Sequence, residues 1–343
     1  MSKWVKIISI FILIGVMGYF FWPRKIISPL ANVNFTEKSL EKYDFDSLAK
    51  EYGGVQDIAP VREIEILGNI PEIEKRSGVL SYARTNEIKF ISDGKWVSGM
   101  INIPVGAQSI APISVIIMIR GYAEKEGYYP GSGTWKVADE LAKAGYATVS
   151  LDFLGYGNSD AESGDVLEAR FHKVIEVLDL IESVKQLPWV DKSKIGIWAH
   201  SNGGQIALSV LEITGEKYPT VLWAPMTLAF PQSLIDTADE GEDRQKAINF
   251  VNLFNKYYDS RRYAFENYYE WINAPILIQQ GTADMWVKVE WQQDVVNNLK
   301  LLNKDVELQI FDGADHNMRG KMGELWKEAV GKDMEFFSKF VLK

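Results

Sequence analysis

The chain has 343 residues, 47% of them apolar and 24% charged, enough material for one large α/β core with an extension. Its formal net charge of −9, with no run of Lys and Arg to reverse the sign locally, speaks against nucleic acid as a partner. The absence of cysteine removes disulfides, thiolate nucleophiles and cysteine-ligated metals together.

The first element is apolar. Ile7 to Pro23 carries no charge, and as a helix it would run roughly 25 Å, close to a hydrocarbon core once Trp4 and Val5 extend it. Trp4, Tyr19 and Trp22 stand near its two ends, where aromatic rings favour the interface. A cleaved signal peptide is the competing reading. It requires a small-x-small site after the apolar run, whereas Pro23-Arg24-Lys25 follows, and then Pro29 where a small residue is needed. Residues 1–30 are therefore expected to be an uncleaved single-pass membrane anchor. Lys3 and Lys6 nearly balance Arg24 and Lys25. A short basic head before a first apolar segment places the N-terminus inside and the rest of the chain outside.

Residues 31–85 are polar and mixed, with Val61 to Ile66 alternating like a strand, and read as a linker with a small extension. From residue 86 onward strands and helices alternate. Glu87 to Ser92 and Lys95 to Ile103 flank Asp93-Gly94, a two-residue hairpin signal. Buried-strand patterns follow at Ile113 to Ile119, Tyr146 to Leu151, Ile195 to Ala199, Thr220 to Ala224, Ile276 to Gln279 and Val306 to Phe311. Helical patterns separate them at Thr134 to Ala144, Val166 to Gln186, Gly203 to Ile213, Val289 to Leu302 and Lys321 to Phe340. The alternation predicts a mostly parallel sheet covered by helices on both faces. One connection, 225–273, is too long for a simple crossover, so it is expected to hold extra helices and to form a lid.

The chemistry-bearing residues stand just after strands. Ala199-His200-Ser201-Asn202-Gly203-Gly204 passes from strand to helix, the setting of a nucleophile elbow, with small residues two before and two after the serine. On the motif alone an ordinary glycine-rich helix start fits as well, but the order of the chain adds to it. Asp284 follows one strand in Gly281-Thr-Ala-Asp, and His316 follows the next in Gly313-Ala-Asp-His. Ser201, Asp284, His316 is the chain order of an α/β-hydrolase triad. A serine hydroxyl needs a base to take its proton, and the imidazole needs a carboxylate on its other nitrogen. Of the three histidines, His200 is expected to point away from the serine hydroxyl and His172 to lie on a helix surface, which leaves His316 as the base. Asp315 adjoins His316 too closely in sequence to reach the far ring nitrogen, which favours Asp284. The oxyanion donors are expected to be the backbone N–H groups of Asn202 and Tyr122. The alternative for Tyr122 is a wall of the pocket.

The chain resembles the prolyl-oligopeptidase-like branch of the α/β hydrolases, in its form without a β-propeller, over residues 43–342. The resemblance rests on Ser92 to Gly99 before Pro104, Asp152-Phe-Leu-Gly-Tyr-Gly-Asn-Ser159, the elbow at Ser201, Asn273 to Asp284, and Gly313 to His316. It implies the α/β-hydrolase fold, the triad Ser201, Asp284 and His316, and oxyanion donors at Asn202 and the Gly121-Tyr122 turn. It also implies a supporting, structural role for Asp152 to Ser159. Two positions depart from the pattern, Arg120 and Gln280. Arg120 is read either as a positive charge at the pocket mouth that binds an anionic substrate group, or as the partner of a nearby Asp.

The resulting expectation is a membrane-tethered serine hydrolase of residues 86–343, acting through an acyl-enzyme on a small peptide or ester, with no metal or cofactor implied. A serine-type peptidase is the first reading and a carboxylesterase the alternative. A non-catalytic binding protein on the same fold is the rival from another class, and it is disfavoured because serine, acid and histidine are all present.

Overall fold

The computed structural model describes residues 40–53, 63–70, 82–105, 112–238 and 241–341. The apolar segment read as a membrane anchor, residues 1–30, lies outside them. Among the described residues no helix is long and apolar enough to cross a membrane.

Nine strands form one sheet: β1 (Ile64–Asn69), β2 (Ala83–Ser92), β3 (Lys95–Pro104), β4 (Ile113–Ile119), β5 (Ala147–Leu151), β6 (Val190–His200), β7 (Thr220–Trp223), β8 (Ile276–Gly281) and β9 (Val306–Phe311), in the spatial order β1-β2-β3-β5-β4-β6-β7-β8-β9. The β2–β3 hairpin turns at Asp93-Gly94, both with positive φ as a two-residue type I′ turn needs. β1 to β3 and the β3–β5 edge are antiparallel, and every pair from β5 to β9 is parallel. This is the α/β-hydrolase fold, a mostly parallel sheet covered by helices. The chain reverses direction of travel across the sheet at β4, leaving to β5 on one side and returning to β6 on the other. Such a switch point opens a crevice above the strand ends, and the turns after β4 and β6 meet there.

The helices are α1 (Phe45–Tyr52), α2 (Trp135–Lys143), α3 (Val166–Val184), α4 (Asn202–Thr214), α5 (Gln232–Asp236), α6 (Glu242–Phe254), α7 (Val289–Leu301) and α8 (Glu324–Phe340). Alternation along the strands feeds two separate cores. In β6, Ile195, Ile197 and Ala199 pack under α3 and α4. Trp198, between them, points to the other face with α2 and α8. β6 begins at Val190, five residues ahead of the apolar run, because the polar stretch Asp191 to Lys194 continues the strand past a register irregularity against β4.

Three sequence expectations change. Residue 86 is not an architectural boundary, since it falls within β2, and residues 40–53 belong to the core. Asp44 caps α1 by accepting from Ser47 N–H at 2.7 Å, and Leu40, Tyr43, Phe45 and Leu48 are buried in the same core as α3 and α4. His172, expected on a helix surface, is only 6% exposed. α3 is sandwiched more fully than one amphipathic face allows, and Nδ1 of His172 lies 3.2 Å from Oε1 of Glu176 one turn on.

Residues 224–275, between β7 and β8, hold α5, α6 and three short 3-10 turns. Their aromatic rings join the core: Phe230 packs edge-on against Phe171 of α3, with ring centroids 5.2 Å apart, and Phe254 against Tyr263 at 5.3 Å. The insertion is also strapped to α1. Arg262 pairs with Asp44 at 2.9 Å, Phe45 stacks on Tyr268 at 4.6 Å, and the Tyr263 hydroxyl donates to the Leu40 carbonyl at 3.1 Å.

Candidate active site

Ser201 occupies the turn between β6 and α4 with φ 54° and ψ −122°, a conformation costing roughly 1–3 kcal/mol for a residue with a Cβ. The surroundings hold it there. Its N–H donates to the Trp223 carbonyl at 2.9 Å, and its carbonyl accepts from Gly204 and Met226 at 2.9 and 2.8 Å. Two glycines allow the close approach. A methyl group on Gly203 would lie 2.5 Å from the Ile119 carbonyl oxygen, and one on Gly121 would lie 2.8 Å from Cβ of Ser201 and 3.4 Å from its Oγ. The turn after β4 is thus pressed directly against the serine side chain. Asn202 is the first residue of α4, where backbone N–H groups are unpaired and the helix dipole favours negative charge. The side chain of Tyr122 is 75% exposed.

The loops after β8 and β9 bring Asp284 and His316 together. Ala283 N–H donates to the Ala314 carbonyl at 3.0 Å, Thr282 N–H to the Phe311 carbonyl at 3.0 Å, and Gly313 N–H to the Thr282 hydroxyl at 2.8 Å. Across this zipper, Nδ1 of His316 lies 2.8 Å from Oδ2 of Asp284. Oδ1 of Asp284 accepts from the N–H groups of Trp286 and Val287 at 2.8 and 3.0 Å. Burial pushes the Asp284 carboxyl up, but the His316 bond and these two amides outweigh it and hold the group below the usual carboxylate range. Asp315 is turned elsewhere: it accepts from the N–H groups of Asn317 and Arg319 and pairs with the Arg319 guanidinium.

Gln280 departs from the pattern of the resembling family, and its geometry gives the reason it serves here. Its Nε2 donates toward Oδ2 of Asp284 and toward the carbonyls of Gly281 and Val287, each at 3.1 Å. Three acceptors around one amide nitrogen tie the aspartate to the end of β8. Only its position four residues before Asp284 hints at this in the sequence.

His200 does not point clear of the site. Its Nε2 donates to the His316 carbonyl at 2.8 Å, and the two rings are 4.8 Å apart. Burial, with the neighbouring His316 adding to it, pushes His200 down to about 4, so it braces the loop as a neutral ring. Beside it opens a cavity of about 490 Å³ that also reaches Asn317 and is walled by Trp135, Trp198, Trp223 and Trp326.

Arg120 does not stand at the pocket mouth. It is 4% exposed, and its guanidinium donates to the Gly121 carbonyl at 2.8 Å, the Asp152 carbonyl at 2.5 Å and the Tyr128 hydroxyl at 3.1 Å. The rings of Tyr156, Tyr128 and Phe153 surround its charge, with centroids 4.2, 5.0 and 5.1 Å away. Its donors are committed to holding the turn after β4. Asp152 completes this post, accepting from Ser98 Oγ at 2.6 Å, Tyr128 OH at 2.9 Å and Gly131 N–H at 3.2 Å. Asp152 to Ser159 is thereby a structural loop. Among the described residues no group of three or more His, Cys, Asp or Glu is placed to hold a metal ion.

Comparison with known proteins agrees with this architecture. Residues 136–341 match the prolyl oligopeptidase family. A probable dipeptidyl-aminopeptidase B of Ajellomyces capsulatus is 25% identical over 189 residues, 51% of this chain and 18% of its own length. The chain thus spans about a fifth of that relative. Acetyl xylan esterase 1 from Thermoanaerobacterium sp. JW/SL YS485 superposes with a TM-score of 0.61 at 17% identity, over 88% of this chain and 94% of its own. The acylaminoacyl peptidase of Pyrococcus horikoshii gives 0.61 at 18% identity, over 79% and 44%. With the family motif matched across 206 residues, from the start of α2 to the end of α8, the chain belongs to the prolyl oligopeptidase family of serine hydrolases.

Proposed function

We propose that the chain hydrolyses small peptides through an acyl-enzyme, with Ser201 as nucleophile, His316 as general base and Asp284 as its orienting carboxylate. The observation that carries this reading is the bond between His316 and Asp284, joined to a strained serine turn whose side chain is in contact with Gly121. His316 takes the proton of Ser201 as its Oγ attacks the substrate carbonyl, and returns it to the leaving group. The charge on the tetrahedral intermediate rests on the N–H groups of Asn202 and Tyr122. A water molecule, deprotonated by the same histidine, then releases the acid.

An ester substrate is the second reading. Esters yield more readily to this chemistry, and the esterase with this architecture is matched along nearly its whole length. A fluorophosphonate probe tests the common step: the wild type should be labelled and Ser201→Ala should not. Equal labelling of folded Ser201→Ala would refute the assignment. Paired amide and ester substrates with one acyl group then separate the two readings. The apolar segment of residues 1–30 further supports tethering to a membrane, with the folded part on the outer side. Release of the full chain from membranes by alkaline carbonate alone would overturn the tether.

A further inference from the structure

Beside Asn202 lies a small pocket of about 50 Å³, bounded by Phe171, Ile206, Phe230 and Tyr263 and lined also by two cationic residues, Arg170 and Lys173. Both come from α3, three residues apart, and so share one face of that helix. Only burial shifts Arg170, whereas Glu176 and Glu162 partly offset the charge of Lys173. Arg170 donates from Nη2 to the side-chain oxygen of Gln205 and to the Ser233 hydroxyl, each at 2.9 Å. Both acceptors are neutral. Neither cation has an ion-pair partner among the described residues. Glu162 already pairs with Lys125, and Glu176 accepts from Leu154 N–H while its charge still acts on Lys173.

A buried charge without a counter-ion is costly, and Arg170 on the wall of this pocket loses that cost when an anion enters. Burial lowers the Lys173 ammonium, with Arg120 nearby adding to the effect, and lowers the Arg170 guanidinium to about 10. Arg170 therefore remains charged at neutral pH. Gln205, which accepts from Arg170, also donates to the side-chain oxygen of Asn202. The cation is thus joined by one amide to the residue directly after the nucleophile. The volume is little more than the share of one or two waters, so the group it takes is small.

We propose that this pocket binds a carboxylate carried on the acyl portion of the substrate, making Arg170 and Lys173 the residues that select acidic acyl groups. The inference rests on the reading of Ser201 as the nucleophile, because that places Asn202 at the acyl side.

The test compares matched substrates. Half esters of p-nitrophenol with glutaric acid, against the pentanoate ester, report a dicarboxylate acyl group; glutamyl against glutaminyl p-nitroanilide reports an acidic peptide. The wild type should favour the charged member of at least one pair by about tenfold in kcat/KM, the order expected of one charge-assisted bond. Arg170→Gln should lower that ratio at least tenfold, and Lys173→Gln by about threefold. A wild-type ratio at or below one in both pairs overturns the proposal, as does a ratio unchanged in Arg170→Gln. Should Arg170→Gln fail to fold, the Lys173→Gln ratio decides. Free glutarate separates this inference from the catalytic reading. It should raise the melting temperature of both wild type and Ser201→Ala, growing with the logarithm of its concentration once that exceeds Kd, and a shift surviving in Lys173→Gln at full size counts against the pocket. Loss of fluorophosphonate labelling with the glutarate shift intact would sink the nucleophile alone.

Discussion

Asp284 and Asp333 are both buried aspartates at the β8 side of the sheet, and their surroundings drive them in opposite directions. Asp284 receives two backbone amides, the Gln280 amide and the His316 ring, and is held below the ordinary carboxylate range. Asp333, on α8, receives the indole N–H groups of Trp198 and Trp223, at 3.2 and 2.9 Å, and the Gln279 amide. These neutral donors do not compensate complete burial, and Asp333 is pushed well above the ordinary range. Three hydrogen bonds alone do not stabilise a carboxylate charge. What separates the two sites is a partner able to become positive, together with donors fixed by the backbone of a tight turn. The first site is suited to sharing a proton with histidine, and the second fastens two tryptophans to a helix.

The same substitution at both positions should break the comparison most visibly. Asp284→Asn is expected to lower kcat on the order of a thousandfold to ten-thousandfold with the fold retained, because the amide favours the wrong histidine tautomer. Steady-state kinetics on the folded variant measures this, and a loss below tenfold would remove Asp284 from the role proposed here.

Asp333→Asn should instead leave turnover per folded molecule within about twofold and cost about 1–3 kcal/mol of stability, because its NH₂ group must face a tryptophan donor. Urea unfolding monitored by tryptophan fluorescence reads it. The pH slopes oppose each other as well. The folded-state value of Asp333 is raised, so in the window above the ordinary carboxyl value the folded chain holds a proton that the unfolded chain has lost, and stability falls as pH rises. That slope should vanish in Asp333→Asn. Asp284 is lowered, so its contribution is present above the ordinary value and disappears as pH falls through the lowered one.

Gln280→Leu sharpens the comparison on the charged side. It removes one donor while the amides of Trp286 and Val287 remain, and kcat should fall about tenfold with KM little changed, since positioning rather than binding is lost. The smallest effect belongs to His200→Asn. His200 is already neutral down to about pH 4, so the acid limb of kcat/KM expected of a general-base histidine should stay where it is. A limb that moves with His200 would transfer the base role.

What the sequence made legible follows from range. β4, β8 and β9 could be read within a residue or two because their apolar runs are continuous and bounded by turn residues, and Ser201, Asp284 and His316 stand out because each follows such a run. The sequence leaves Arg120 between a pocket mouth and a nearby Asp because its acceptor at Asp152 is 32 residues away and its ring shell includes Tyr156, neither of which periodicity reveals. His172 looked like a surface residue because its helix is covered on more than one side. The extension was read as a linker because its short apolar pattern acquires meaning only against Tyr268 and Arg262, more than two hundred residues later.

That last contact has a mechanical consequence. The strap of residues 40–53 is the first described stretch after the amino-terminal segment, and it grips the insertion through Asp44, Phe45 and Leu40 while Tyr43 and Phe45 form part of the wall of the Asn202 pocket. Tension applied along the amino-terminal segment therefore enters the molecule at that wall before it reaches the sheet. For the same reason a shortened chain must begin ahead of Leu40: a cut after Gly53 would leave Arg262 without its buried counter-ion and the pocket open on one side.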